Sequence, residues 1–398
     1  MFMELLHSSL QQLGVESTLF CQDNPSNRPD IRVVPRWPRT EKWLRRATSR
    51  LGLNDIHRIS SWSLTRDEVF READVIHIHG LHSGFLSYLA LPHLTRTKPA
   101  VFTVHDAWPF TGHCAIPMDC QRWRTGCGSC PYPDVHPAVR RDATSVEWKL
   151  KQATYKRSQV VFVLLTKAQL RNAEEGLLAP LPKVLIPGSV DIETFRPIDR
   201  SSARASLGID LDRMVIMFAA IKVDQPIKGG RYLLEALKRI PEGLRARLAV
   251  LVLGHQSEEF VASSGLPGTA IEFTTDQEKI TLAYNAADLL AFPSTYDTSA
   301  NVLAEALACG TPVVSFHVGG APDHLTPGKT GIVVPIGDVD GLAAGINQIL
   351  SAPPKHRDAL RKSSREYAVS ELSNTIGAER YIQLYRSLLQ ASASPLPP

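Results

Sequence analysis

Six short apolar segments alternate with helical segments in the second half of the chain. The apolar segments, rich in β-branched residues, are 214–219, 248–253, 271–273, 289–292, 313–316 and 332–334. Segments with helical periodicity lie between them, at 230–239, 278–286, 300–309 and 339–350. Short buried strands that alternate with helices are typical of a parallel sheet covered on both faces. The sequence therefore predicts an α/β fold.

Length and composition narrow the class of protein. A chain of 398 residues is too long for one ordinary hydrophobic core and suits two domains. Hydrophobic residues make up 43% and charged residues 21% of the chain, as in globular proteins. The net charge of +4 does not indicate nucleic-acid binding. The sequence has neither a membrane-spanning run nor a leader pattern, so we expect a cytoplasmic protein.

Two carboxylates flank the start of one of these helices. Asp297 follows strand 289–292, and Glu305 lies inside helix 300–309 between two alanines. Such acids commonly cap a helix or face solvent. However, Glu305 is in an almost uncharged helix, where an unpaired carboxylate is costly to bury. The free N–H groups of the helix start favour an anion, so the pair is suited to a phosphate flanked by hydroxyls, as in a sugar nucleotide.

The same stretch resembles a known enzyme family. Asp297, seven residues, Glu305 and then Ala-x-Ala-x-Gly-x-Pro-Val-Val resemble the signature of the family-four retaining glycosyltransferases. The family usually has Glu at the position of Asp297. The resemblance implies the GT-B fold, in which two Rossmann-like, doubly wound domains face a cleft. Within the family, the chain resembles exopolysaccharide glycosyltransferases of the colanic-acid type.

The resemblance also suggests domain boundaries. Segment 186–197 resembles the family's interdomain linker, with Gly188 and Ser189 in place of its Asn-Gly pair. We therefore expect an acceptor-side domain over 1–185, a nucleotide-sugar domain over 186–370, and a last segment, 371–398, with a helix that crosses back to the first domain and a tail.

The start of the chain departs from the family pattern. The chain begins with a helical pattern followed by strand 15–20, where the family has a first strand and a Gly-rich loop before that helix. A missing central strand would leave strands 15–20 and 75–79 without a shared neighbour. We expect that an N-terminal segment of roughly a dozen residues is lacking.

The donor-binding residues are expected at the carboxyl ends of the second domain's strands. Lys228 and Gly229 open a helix after strand 214–219, where they would hold a diphosphate, although an isolated lysine is commonly just exposed. The family has Gly-Arg where this chain has Ala220 and Ile221, so Lys222 is the nearby cation that could substitute. The remaining donor-binding candidates are Thr274 and Thr275 in the family's base-binding loop, and Ser299, Ala300 and Asn301 at the start of the carboxylate-bearing helix.

His105 is the candidate catalytic residue of the first domain. It ends strand 100–105, where open α/β sheets bind ligands, although such a histidine is often structural. It resembles the family's cleft histidine, which approaches the donor sugar, and Asp106 would orient it. The expected catalytic set is His105, Lys228, Asp297 and Glu305. We expect no catalytic metal, because no Asp-x-Asp motif is placed to hold Mg²⁺.

Four of the six cysteines fall in one segment, 108–131. They are Cys114, Cys120, Cys127 and Cys130. Because cytosolic thiols stay reduced, this density favours metal over disulfides. A structural zinc with four thiolates is our leading hypothesis; an iron–sulfur cluster, a redox pair and unligated thiols remain alternatives. The segment resembles an insert in some exopolysaccharide glycosyltransferases.

Residues 36–50 combine six basic residues with Trp37 and Trp43. A solvated charged helix is one explanation. A surface that contacts anionic lipid headgroups, at the inner face of the membrane, is the other.

The function that these features predict is transfer of a hexose from a nucleotide diphosphate sugar to a growing polysaccharide or a lipid-linked precursor, with retention of configuration. Retention is implied by the resemblance alone. A retaining hydrolase would need both carboxylates about 5 Å apart across one bond, which a loop acid and a helix acid do not suggest. The alternative is a non-catalytic binder of sugar nucleotides, or a partner subunit in polysaccharide assembly.

Overall fold

The computed structural model describes residues 2–25, 27–82 and 84–393. They divide into two compact units. One contains the described residues up to Pro187 together with those from Ala378 onward, and the other extends from Gly188 to Gly377. The predicted tail lies partly outside the described residues, since 394–398 are not among them. The predicted domain boundaries stay predictions.

The first unit is built on a sheet of four parallel strands. Its elements are α1 (Phe2–Gln12), β1 (Leu19–Cys21), β2 (Ile31–Val33), α2 (Pro38–Arg50), α3 (Glu68–Glu72), β3 (Ile76–Ile78), α4 (Leu91–Leu94), β4 (Ala100–Val104), α5 (Thr144–Lys156), β5 (Val160–Leu164), α6 (Lys167–Ala173) and β6 (Lys183–Leu185). Among the described residues the sheet order is β3-β4-β5-β6, and β1 pairs with β2 in a separate two-stranded sheet. The strand predicted over 15–20 is therefore the shorter β1, and β3 lies at an edge of the larger sheet.

The second unit contains a six-stranded parallel sheet. Its elements are α7 (Arg200–Ser206), β7 (Met214–Lys222), α8 (Gly230–Arg239), α9 (Glu242–Arg245), β8 (Leu248–His255), α10 (Ser257–Ser264), β9 (Gly268–Ile271), α11 (Gln277–Ala286), β10 (Leu289–Phe292), α12 (Asn301–Ala308), β11 (Val313–Phe316), α13 (Ala321–His324), β12 (Gly331–Val334), α14 (Val339–Leu350), α15 (Pro354–Tyr367) and, continuing into the first unit, α16 (Asn374–Ala393). The described strands have the order β12-β11-β10-β7-β8-β9. This is the doubly wound order, and the α/β prediction is confirmed.

Strand β7 shows why this sheet is buried on both faces. Successive side chains of a strand point to opposite faces. Val215 and Met217 accordingly pack in one core, while Ile216 and Phe218 pack in the other. Helices cover both faces, so the strands read as continuous apolar runs. The strand predicted over 271–273 was displaced: β9 ends at Ile271, and Phe273 beyond it is exposed.

In the first unit, the two ends of the chain pack on one face of the sheet. Val101 of β4 and Val163 of β5 contact the cluster that contains Leu6 of α1 and Tyr381 of α16. The other face of β4 packs, through Phe102, in the larger core of this unit. Between β3 and β4, the described residues form a single short α-helix, Leu91–Leu94. A Pro at position 92 favours a helix start near that residue.

Candidate functional site

The order of strands in the second unit reverses between β7 and β10. The chain adds β8 and β9 on one side of β7, then returns to β10 and adds β11 and β12 on the other side. In open α/β sheets, ligands bind at the carboxyl edge where the strand order reverses. The loops that leave β7 and β10 at this edge carry Lys228 and Asp297, two of the predicted site residues.

These two loops are joined by backbone contacts. The N–H of Thr295 donates to the carbonyl of Ile227 at 2.8 Å. Gly229 has a φ of +71°, and a Cβ at this position would lie 1.8 Å from the carbonyl oxygen of Pro293. Only glycine fits this close approach. The glycine thus sets Lys228 at the start of α8, against the loop that follows β10.

Lys228 and Asp297 form an ion pair. The Lys228 Nζ lies 3.0 Å from Asp297 Oδ2, with side-chain exposures of 24% and 15%. On the other side of Asp297, a Cβ at Gly319 would lie 2.6 Å from the Asp297 carbonyl oxygen, so a third loop fits tightly against it. The structure thus brings together two residues that are 69 positions apart in the sequence. An anion that binds here would compete with Asp297 for the ammonium group.

Glu305 is buried within α12. It is 9% exposed, and its Oε2 accepts a 2.8 Å hydrogen bond from the hydroxyl of Tyr284 on α11. Its Oε1 has no hydrogen-bond partner in the part of the chain that the structure describes. Burial raises the pKa of Glu305 to about 7, and the Tyr284 hydrogen bond opposes that rise. A hydroxyl donor next to Oε1 would stabilise the charged carboxylate.

The start of α12 is not capped by a side chain. Ala300 is the N-cap residue and has no side-chain acceptor for the N–H groups of the first turn. Ser299 and Ala300 are half-buried, whereas Asn301 is exposed. Uncapped N–H groups and the helix dipole favour a negatively charged ligand at this end. The structure places these predicted donor-binding residues in the same loop and helix start as Asp297.

The other predicted donor-binding residues lie further along the same sheet. Lys222 is the last residue of β7 and is exposed. Thr274 and Thr275 follow β9, two strands away from β7. The Thr274 hydroxyl accepts the N–H of Asp276, which in turn caps α11. Thr274 thus has a local structural contact, and donor binding by these three residues stays a prediction.

His105 in the first unit is part of a row of histidines. Its Nε2 lies 3.1 Å from Nδ1 of His79, and the two rings stack with centroids 5.4 Å apart. Burial lowers the pKa of His105 to about 4, so the ring is neutral at physiological pH. The expected role of Asp106 is wrong: its carboxylate pairs with His82 at 2.9 Å and accepts the N–H of Trp108.

The four clustered cysteines are free thiols and half-buried. Cys127 Sγ accepts the N–H of Gly112, and Cys130 Sγ lies 3.2 Å from Nε2 of His113. Burial raises the pKa of Cys114 to about 11 and that of Cys127 to about 12, so both are protonated. Across 2–25, 27–82 and 84–393, no group of three or more His, Cys, Asp or Glu is placed to hold a metal. The expected four-thiolate arrangement is therefore not formed in this structure, and zinc binding stays a prediction.

The sequence did not indicate the partner of Glu305. Tyr284 is 1% exposed and lies 21 residues before Glu305, on a different helix. The helical pattern of 278–286 predicted a buried face for α11, but an apolar pattern does not distinguish a packed tyrosine from one whose hydroxyl holds a carboxylate. The tertiary contact between α11 and α12 alone identifies it.

Comparison with known families finds one match for each part of the chain. Residues 2–194 match the model described as "Glycosyltransferase Family 4", and residues 212–352 match the model described as "Glycosyl transferases group 1".

Curated relatives and solved structures agree with these matches. The D-inositol 3-phosphate glycosyltransferase of Mycobacterium bovis (strain BCG / Pasteur 1173P2) is 37% identical over 318 residues, which cover 77% of this chain and 60% of the relative. Its counterpart in Saccharomonospora viridis is 34% identical over 223 residues, 52% of this chain and 51% of the relative. The matched stretches thus span less than two thirds of the curated relatives' length.

The solved structures resemble the chain over nearly its whole length. Sucrose-phosphate synthase from Thermosynechococcus elongatus superposes with a TM-score of 0.71 at 20% identity, covering 98% of this chain and 93% of that one. Anabaena HepE in complex with UDP-glucose has a TM-score of 0.65 at 14% identity, covering 96% and 94%. At these identities the likeness shows the fold, which is GT-B.

Proposed function

The chain belongs to the GT4-like glycosyltransferases of GT-B fold, and on this premise we propose that it transfers a hexose from a nucleotide diphosphate sugar, with retention of configuration. The acceptor is a growing polysaccharide, as in exopolysaccharide synthesis, or its lipid-linked precursor. The observation that carries the proposal is the convergence of Lys228, Asp297 and the uncapped start of α12 at the carboxyl edge where the strand order reverses. HepE, a neighbour in fold, is described in complex with UDP-glucose, which supports a nucleotide-sugar donor.

Each residue has a distinct task in this proposal. The Lys228 ammonium leaves Asp297 and pairs with the diphosphate, whose negative charge grows as the bond to the sugar breaks. Asp297, freed from the lysine, accepts hydroxyls of the sugar. Glu305 accepts a ribose hydroxyl at Oε1 while Tyr284 holds Oε2. His105, neutral because of its burial, is the proposed catalytic residue of the first unit.

The leaving group is stabilised by protein groups in this scheme. GT4-like enzymes typically need no catalytic metal. Here the cation is Lys228, and the N–H groups at the start of α12 supply further positive potential. Lys222, at the end of β7, is the second cation in the proposal, because the Gly-Arg pair typical of the family is replaced by Ala220 and Ile221.

We also propose that α2 contacts a membrane that carries the acceptor. Trp43 is 67% exposed and Trp37 is 45% exposed, and basic residues surround both. Glu41, on the opposite side of α2, is buried and paired with Arg58, which fixes the orientation of the helix. No helix among the described residues is long and apolar enough to span a bilayer.

Nucleotide binding followed by turnover tests the proposal. Melting should be measured with UDP, GDP and ADP, and the nucleotide that stabilises the chain should then be supplied as its sugar conjugates. The acceptors should include a lipid-linked saccharide and, because of the relatives' names, D-inositol 3-phosphate. We expect one nucleotide to raise the melting temperature and its sugar to be transferred. Stabilisation without transfer or donor hydrolysis would instead indicate a non-catalytic binder, and no stabilisation by any nucleotide would contradict the proposal.

A further inference from the structure

A cationic pocket lies within the first unit. It has a volume of about 710 Å³, within the range typical of small-molecule sites. One wall is the end of α2, another is the segment 53–58, and a third is the segment 136–140. Its charged rim consists of Arg45, Arg46, Arg50, Arg58 and Arg140. The sequence analysis recognised only the basic character of α2 and did not indicate a pocket.

Four of the five arginines have no counter-ion among the residues that the structure describes. Within the described parts of the chain, no carboxylate lies within 4.0 Å of Arg45, Arg46, Arg50 or Arg140, whereas Arg58 pairs with Glu41. All four are exposed. Guanidinium groups stay charged at every physiological pH, so their convergence is repulsive until an anion binds. Planar guanidinium groups also match the oxygens of phosphate in pairs.

The walls of the pocket are fixed by hydrogen bonds. The N–H of Asn54 donates to Glu147 Oε1 at 2.7 Å, and its side-chain amide donates to the Ala138 carbonyl. Gly84 N–H donates to Asp55 Oδ1, which ties the loop after β3 to the same wall. A Cβ at Gly52, where φ is +76°, would lie 2.0 Å from the Arg141 carbonyl, so the two segments are in close contact. The arginines therefore project from a preorganised frame.

Two buried titratable side chains belong to the lining of the pocket. Asp55 is 4% exposed, and burial raises its pKa. His57, beside it, is buried as well, and burial followed by the charges of Arg58 and Arg45 lowers its pKa. The charges of Arg58 and Arg45 thus add to the effect of burial on His57. The lining also offers the hydroxyls of Thr48 and Ser49, which suit a ligand with polar groups besides its charge.

We propose that this pocket binds a phosphomonoester and that the acceptor of the reaction therefore carries one. A phosphomonoester has a charge of about −1.5 to −2 at neutral pH, so it neutralises several arginines more fully than a single carboxylate does. The volume leaves room for a sugar- or polyol-sized group beyond the phosphate. The assignment to the acceptor rests on the proposed transferase function, whereas phosphate binding does not. The ester is either soluble or the headgroup of a lipid.

Calorimetric titration of the full chain with glycerol 3-phosphate is the first test. We compare the wild type with the double variant Arg45→Gln/Arg140→Gln and with the control Lys149→Gln/Lys156→Gln, which removes the same charge from exposed positions of α5 outside both the pocket and the basic surface of α2. Loss of two charged contacts should weaken binding about tenfold or more in the first variant and leave the control close to wild type. Sedimentation with phosphatidylcholine vesicles, with and without phosphatidic acid, is the second arm.

The two arms separate the sources of the phosphate. Arginine-dependent binding of glycerol 3-phosphate assigns a soluble ester, and arginine-dependent sedimentation restricted to phosphatidic acid vesicles assigns a lipid headgroup. The proposal that the pocket binds phosphate would be overturned if both double variants lose the same amount of binding, or if neither arm shows a loss of binding in Arg45→Gln/Arg140→Gln. UDP binding by the same samples tests the donor site separately. The assignment to the acceptor has its own test. It would be overturned if phosphate binding depends on the arginines but Arg45→Gln/Arg140→Gln transfers the sugar to unphosphorylated acceptors as well as the wild type does.

Discussion

The two units differ in how their conspicuous sequence features are placed in space. In the second unit, Lys228 and Asp297 are brought into direct contact at the reversal of strand order, close to the motif that includes Glu305. In the first unit, the four clustered cysteines are not arranged around one metal position. The basic segment 36–50 lines part of a pocket, and the sequence did not indicate the residues that form its other walls. In a sheet of repeated βα units, the loops after the strands meet at one edge, so motif residues in these loops come together. No comparable rule predicts which residues meet in irregular segments.

The largest expected effect concerns the four clustered cysteines. If they bind a metal together, the first unit, like the second, has motif residues that meet at one site. We predict about one equivalent of zinc per chain when the protein is prepared without chelator. Cys130→Ser should lose the zinc and lower the stability of the first unit by several kcal/mol, because structural zinc contributes directly to folding. Cys21→Ser, a half-buried cysteine outside the cluster, is the matched control.

Elemental analysis and melting curves check this prediction. Chelation should destabilise the first unit before it changes UDP binding. Absence of zinc and of iron from the wild-type protein would contradict the prediction and leave unligated thiols or a redox pair as the alternatives.

The next prediction tests whether Lys228 of the second unit acts in the transfer reaction. Lys228→Ala should lower kcat about 100-fold, because it removes a charge aimed at the leaving group. Lys238→Ala, on the same helix and paired with Glu235 at the surface, should leave kcat within about twofold of wild type. Steady-state kinetics with the identified donor measure both. Equal rates for the two variants would exclude Lys228 from the site.

Glu305→Gln should weaken UDP binding about tenfold at pH 8, since a charged acceptor for the ribose hydroxyl is lost. The effect should grow with pH, because Glu305 has a pKa of about 7 and is mainly protonated below it. Binding to the wild type, relative to the variant, should therefore strengthen between pH 6 and pH 8. Calorimetry at several pH values tests this, and a constant ratio between the two proteins would contradict the role of the carboxylate.

The same substitution predicts a change in stability of known sign. The folded pKa of Glu305 is about 7, above its usual value of 4.5, so the folded state binds the proton more tightly. The resulting stabilisation is complete below pH 4.5 and is lost as the pH rises through 7, a difference of about 3 kcal/mol. Glu305→Gln should remove this component. Urea unfolding at pH 5 and pH 8 should show that the variant's free energy of unfolding, relative to wild type, is higher at pH 8.

Asp297→Glu is the mildest change. It supplies the longer acid typical of the family and keeps a carboxylate for Lys228, so we expect transfer within about threefold of wild type or above it. Asp297→Asn, of nearly equal size but uncharged, should lower transfer more. Similar activities of the two variants in the transfer assay would argue that neither the charge nor the reach of this side chain matters.

The sequence by itself determined the architecture of the second unit. Helix boundaries at 230–239 and 339–350 agree with α8 and α14, because apolar periodicity and the residues that end helices act locally. The sequence also indicated that Lys228, Asp297 and Glu305 lie near the carboxyl edge of the sheet, since loops that follow parallel strands share that edge.

Only the tertiary structure decided which groups these side chains meet. Glu305 meets Tyr284, and Asp106 meets His82 rather than His105, through contacts between elements that are distant in the chain. Arg45 and Arg140, also distant in the chain, line the same pocket. A local sequence pattern predicts which face of a helix or strand is buried. It does not predict which atom of another element contacts a given side chain on that face. Hydrogen bonds and charge pairs depend on distances of a few ångströms, which packing of the whole unit sets.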